Sequence, residues 1–114
     1  MTDSKTYKIA GADVIITVSG YVDKITVHIT VDLSPLDIGE PDHSPHNLMS
    51  YFALPGYHTS DKFWWCKAYR QVNCATGSQA RRVIKTALTR LDDAISGAIL
   101  ARNCRKAEIL AVLA

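Results

Sequence analysis

The chain reads as an α+β domain: a small antiparallel sheet of about three strands, with a long C-terminal helix packed on one face. Two observations predict this. From Lys24 to Leu33 apolar and polar residues alternate strictly, Ile25, Val27, Ile29, Val31 and Leu33 against Lys24, Thr26, His28, Thr30 and Asp32. Period-two alternation of β-branched residues is the mark of a half-buried strand. From Gln79 to about Arg102 the period changes, and Ala80, Val83, Ile84, Ala87, Leu88, Leu91, Ala94, Ile95, Ala98 and Ile99 form one helical stripe. Hairpin-linked strands followed by a helix indicate one layer of each, packed together.

The elements follow in order. Ala12 to Ser19 is a strand with Val14, Ile16 and Val18 inward, joined to the next by the short loop Gly20-Tyr21-Val22-Asp23. Residues 34–60 hold all four prolines and three of the four histidines and form a long connection, with one helical turn expected around Asn47 to Phe52. A connection of this length in a compact domain is functional or mobile. Its apolar residues Leu48, Met49, Tyr51, Phe52 and Leu54 are expected to lay it over part of the domain. Phe63 to Val72 reads as the third strand, with Phe63, Trp65, Lys67, Tyr69 and Gln71 on one face and Trp64, Cys66, Ala68, Arg70 and Val72 on the other. Ser78 is the expected N-cap of the helix. Lys106 to Leu113 continues that helix or forms a short second one past Asn103.

Composition bounds what the chain does. With 114 residues, 47% hydrophobic and 21% charged, it fits one folded domain over 1–114 and not a disordered chain. No apolar run approaches a membrane span, and the polar start from Met1 to Ala10 lacks the pattern of a secretory leader. Cys66, Cys74 and Cys104 are odd in number, which suits reduced thiols and a cytoplasmic location. Residues 1–60 carry three basic and seven acidic side chains, a sum of −4, and residues 61–114 carry ten and four, a sum of +6. Such a split suits a molecule with one side facing an anionic partner, or surface charges that mix on folding.

Catalytic signatures are missing: there is no G-x-G-x-x-G, Walker loop, G-x-S-x-G or H-E-x-x-H. His43 and His46 are spaced H-x-x-H, with Cys66 and Cys74 downstream, but the spacings match no standard zinc site, so no metal and no cofactor is expected. Cys74 precedes a helix and Arg81, yet six residues separate them where the phosphate loop of cysteine phosphatases has five. Asp92 and Asp93 are adjacent on a helix and diverge by about 100°, so they do not share a site.

Binding chemistry is better represented. Trp65, Tyr69 and Lys67 share a strand face with the Thr26, His28 and Thr30 side of the neighbouring strand, and Tyr51 and Tyr57 lie in or beside the long connection. Aromatics interleaved with basic residues suit a protein interface or base stacking, unless the connection folds over them. Arg81, Arg82 and Lys85, with Arg90 beyond, form a basic helix flank. The expected function is a non-enzymatic protein-binding module, and the alternative is a nucleic-acid-binding protein using the basic flank and the aromatic strand. A small thiol- or metal-dependent enzyme ranks third. A protein partner is expected first, nucleic acid second and no membrane, with the oligomeric state left open. In its small size and lack of catalytic motifs the chain is similar to accessory proteins of phages and mobile elements, anti-CRISPR inhibitors among them. That likeness implies a protein that inhibits a host factor by occupying its surface.

Overall fold

The structure is a computed structural model, and it describes residues 2–36, 48, 57–63 and 66–113. Among the described residues five strands form a single antiparallel sheet: β1 (Thr2–Ile9), β2 (Ala12–Gly20), β3 (Ile25–Asp32), β4 (His58–Phe63) and β5 (Lys67–Cys74), in the order β1-β2-β3-β5-β4. One helix, α1 (Gly77–Leu113), follows them. The architecture is the expected α+β sheet-and-helix pair, but the sheet has five strands where about three were expected.

Both additional strands are polar. β1 reads TDSKTYKI and β4 reads HTSDKF, and neither carries the apolar alternation that marks a strand with one buried face. They are the two edges of the sheet, where little apolar surface has to be hidden. β1 is tied to β2 by a two-residue turn in which Ala10 (φ 49°) and Gly11 (φ 83°) both take positive φ, as a type I′ hairpin requires. The strand expected over Phe63–Val72 divides into the end of β4 and most of β5. The connection expected over 34–60 is correspondingly shorter, because a 3-10 turn occupies Ser34–Leu36 and β4 begins at His58. The helical turn expected around Asn47–Phe52 lies outside the described residues except for Leu48, which is helical and fully buried.

The register confirms the faces read from β2, β3 and β5. Val14, Ile16, Val27, Ile29, Val31, Ala68 and Val72 are buried on one face. Against them α1 lays Ala80, Val83, Ala87, Leu91, Ala94, Ile95 and Ala98, the stripe expected from spacing. Leu33 and Leu48 complete this core. Arg70 shares the same face and is buried, answered by a bidentate carboxylate: Arg70 Nε donates to Asp61 Oδ1 at 2.7 Å and Nη2 to Oδ2 at 2.9 Å. Such a pair satisfies a charge that would be costly to bury alone.

Thr76, and not Ser78, caps the helix. Its Oγ1 accepts from the Gln79 amide at 3.2 Å, and the Gln79 Oε1 accepts from the Ala75 amide at 2.9 Å, a close variant of the reciprocal capping box. From there α1 runs unbroken to Leu113, so Lys106–Leu113 is its continuation. At 1.5 Å per residue its 37 residues span about 55 Å, whereas strands of eight or nine residues span about 26–30 Å. The helix therefore overshoots the sheet. The molecule measures 60 × 25 × 21 Å, and its radius of gyration of 15.5 Å exceeds the roughly 13 Å of a compact chain this long.

Candidate functional site

Three surfaces could serve a function: the open face of the sheet, the first turns of the helix, and the part of the helix beyond the sheet.

Among the described side chains, the open face is mainly a lattice of hydroxyls and amides that includes the His28 imidazole. Cross-strand register aligns Thr2, Ser19, Thr26 and Asn73 in one row, Ser4, Thr17, His28, Gln71 and Ser60 in the next, and Thr6, Ile15, Thr30, Tyr69 and Lys62 in a third. Many of these groups satisfy one another. Ser4 and Thr17 hydroxyls lie 2.7 Å apart, and the Tyr69 hydroxyl bonds His28 Nδ1 and donates to Gln71 Oε1 at 3.4 Å. The Gln71 Nε2 donates to Asn73 Oδ1 at 3.4 Å, which also accepts from Thr26 Oγ1 at 3.4 Å. Burial within this lattice lowers the His28 pKa below its ordinary value and raises that of the Tyr69 phenol. A shallow depression lined by Ser19, Tyr21, Lys24, Thr26, His28 and Gln71 opens at its hairpin end.

Lys67 and Tyr69 stand on this face as alternation predicted. Lys67 is exposed opposite Asp32, and Tyr69 is half-buried opposite Thr30. Burial alone would raise the Asp32 pKa. The Ser34 hydroxyl and amide, Lys67 and the Cys66 thiol outweigh it and hold the carboxyl below its usual range. Tyr57 is half-buried and packs against the core on the helix side, so it does not join the open face. Trp65 and Tyr51 lie outside the described residues, as do His43 and His46.

Arg81, Arg82 and Lys85 are exposed on the first turns of α1. The helix covers the opposite face of the sheet from Lys67, and it starts beside Ile25, at the far end of β5 from Lys67. The structure therefore separates Lys67 from the three helix cations. Cys66 and Cys74 bracket β5, about 25 Å apart at strand rise, too far to ligate one ion. Cys74 is packed in the core, and burial pushes its thiol pKa up, away from the reactive thiolate. Among the described residues no three metal-binding side chains converge, and no helix is long and apolar enough to cross a membrane.

The third surface was not anticipated. Burial along α1 stops at Ala98, and beyond it Leu100, Ile109, Leu110, Val112 and Leu113 are 65, 53, 58, 85 and 80% exposed. Ile109, Val112 and Leu113, spaced i, i+3, i+4, continue the core-facing line of Leu91, Ala94, Ile95 and Ala98 past the sheet. The apolar spacing of this segment was visible in the sequence, but the length of sheet available to cover it was not. Compared with protein families, curated proteins and solved structures, the chain matches none.

Proposed function

We propose that this protein is a non-catalytic protein-binding module that presents the projecting part of its helix to an apolar groove of a partner. One observation carries the reading: Ile109, Val112 and Leu113 line one exposed helix face at the spacing used by helices that dock in grooves. Exposed apolar side chains grouped in this way are rare on a surface with no partner. The polar face around Lys67 and Tyr69 offers a second contact area, suited to orientation more than to affinity. The small domain and its lack of catalytic motifs favour action by occupying a partner's surface, as an inhibitor of a host factor does.

The test is affinity capture from the native host with the wild-type chain, an Ile109→Asp/Leu113→Asp variant and an Arg81→Ala/Arg82→Ala/Lys85→Ala variant, all checked for unchanged folding. Removing two apolar anchors is expected to weaken a specific complex by roughly 30-fold or more. The nucleic-acid alternative predicts the reverse order: loss on removing the three cations, with affinity falling steeply as salt rises. That result, with the Ile109/Leu113 variant unaffected, would replace groove binding with nucleic-acid binding as the function.

A further inference from the structure

Beyond that reading, a different line on the same helix identifies a partner. At 100° per residue, Leu88, Asp92, Ile99, Lys106 and Leu110 fall within an arc of about 40° along one flank of α1. The line that carries Ile109, Val112 and Leu113 is centred about 90° away around the helix and adjoins this flank only at Leu113. Asp92, Lys106 and Leu110 are exposed, and Leu88 and Ile99 are half-buried, each keeping part of its surface open.

The order along this flank is symmetric about Ile99. Leu88 and Leu110 lie eleven residues to either side, and Asp92 and Lys106 lie seven to either side. Hydrophobic residue mirrors hydrophobic residue, and acid mirrors base. Two antiparallel helices related by a twofold axis at Ile99 therefore bring Leu88 against Leu110, Asp92 against Lys106 and Ile99 against its own copy. The same inversion of sign holds elsewhere on the helix, with Asp93 and Arg105 six residues from Ile99 and Arg90 and Glu108 nine residues from it. No like charges meet at any of these levels, at the 8–10 Å separation of packed helices. A twofold interface has to be complementary to itself, and this flank is.

The dimensions agree. The projecting residues 100–113 match in length the stretch 85–98 of a second helix, so each copy's unsupported segment lies along the sheet-backed part of the other. The overlap is about 43 Å long at 1.5 Å per residue, and with helices about 10 Å wide it covers several hundred Å² per copy, the size of a weak, concentration-dependent interface. We propose that the chain forms an antiparallel homodimer along this flank, with the sheet-backed stretch of each helix lying beside the projecting stretch of the other.

Sedimentation equilibrium of the wild-type chain is expected to return a dimer at concentrations on the order of 100 μM or below. Asp92→Lys alone, or Lys106→Asp alone, places two like-charge pairs in the dimer and should raise its Kd about tenfold, more at low salt. Asp92→Lys with Lys106→Asp in one chain restores opposite charges and should restore the dimer. Circular dichroism and the unfolding midpoint of each variant check that the domain itself is intact. A wild-type monomer overturns the proposal, and so does a dimer indifferent to the single reversals or not rescued by the double one. A parallel pair would show that indifference, because each residue would then face its own copy. Val112→Asp, placed about 140° around the helix from this flank, should leave the dimer unchanged while weakening groove binding, so failure of this proposal and failure of the groove-binding reading are separate results.

Discussion

The two parts of α1 are made of similar residues and live in different surroundings. From Gly77 to Ala98 the helix is held by the sheet and its apolar line is fully buried; from Ile99 to Leu113 most side chains are exposed although the apolar content does not fall. The first part owes its helicity to packing. The second is a helix only because it continues the first, since an isolated segment of about 15 residues is marginal in water. A segment carrying more apolar surface than its own fold can cover is a segment free to find that cover elsewhere.

The widest separation between the two parts should come from proline. Ala87→Pro removes a hydrogen bond and clashes with the preceding turn in the middle of the buried stretch, a cost of about 3 kcal/mol or more, and is expected to leave little folded protein. Ile109→Pro does the same to a stretch that packs on no part of its own sheet, so the sheet signal in circular dichroism and the unfolding midpoint measured on the monomer should survive it. If Ile109→Pro unfolds the domain, the projecting segment is structural and the contrast is lost.

A smaller contrast comes from truncation. Leu91→Ala opens a cavity between helix and sheet and should cost about 2–5 kcal/mol in denaturant unfolding, while Val112→Ala should change stability by less than about 0.5 kcal/mol. A denaturation midpoint for Leu91→Ala equal to wild type would remove Leu91 from the core.

The smallest expected effect is on pH dependence, and it belongs to the sheet and the covered helix alone. Burial holds His28 below its ordinary value of 6.5, so the unfolded chain takes up the proton more readily than the folded one. The stability linked to His28 is thus complete above that value and is lost as pH falls from it through the depressed folded value. The melting temperature should decline from about pH 7.5 to about pH 5, and His28→Gln should flatten that slope. Amide exchange sharpens the comparison: protection over residues 80–98 should fall with the melting temperature, and the faster exchange expected over 103–113 should not track it.

These contrasts follow boundaries that were unevenly visible in the sequence. β2, β3 and the faces of β5 were legible because each buries one side, and burial writes a period of two into the residues. β1 and β4 were not, because edge strands such as TDSKTYKI meet water along most of their length and need no apolar pattern. The apolar run Phe63-Trp64-Trp65-Cys66 hid the boundary between β4 and β5 for the opposite reason, since it gives no polar break to read. Of the candidate site, Lys67 and Tyr69 were correctly assigned to one face by alternation alone. That Tyr69 bonds His28, and that Lys67 lies far from Arg81 and Arg82, depended on register and on the side of the sheet that the helix covers.

By itself the sequence determined the class of fold, the inward side chains of the central strands and the stripe by which the helix meets them, because those are local periodicities that any folded arrangement must respect. The mirror order of Leu88, Asp92, Ile99, Lys106 and Leu110 is written in the sequence, but that the five share one helix flank was decided by the structure, in which α1 runs unbroken to Leu113. Only the tertiary structure decided where burial along the helix stops. That depends on a sheet of eight- and nine-residue strands being about half as long as a helix of 37 residues, a comparison between elements distant in the chain. Residues of one chemical kind, Leu91 and Leu113 among them, thereby became core in one place and contact surface in the other.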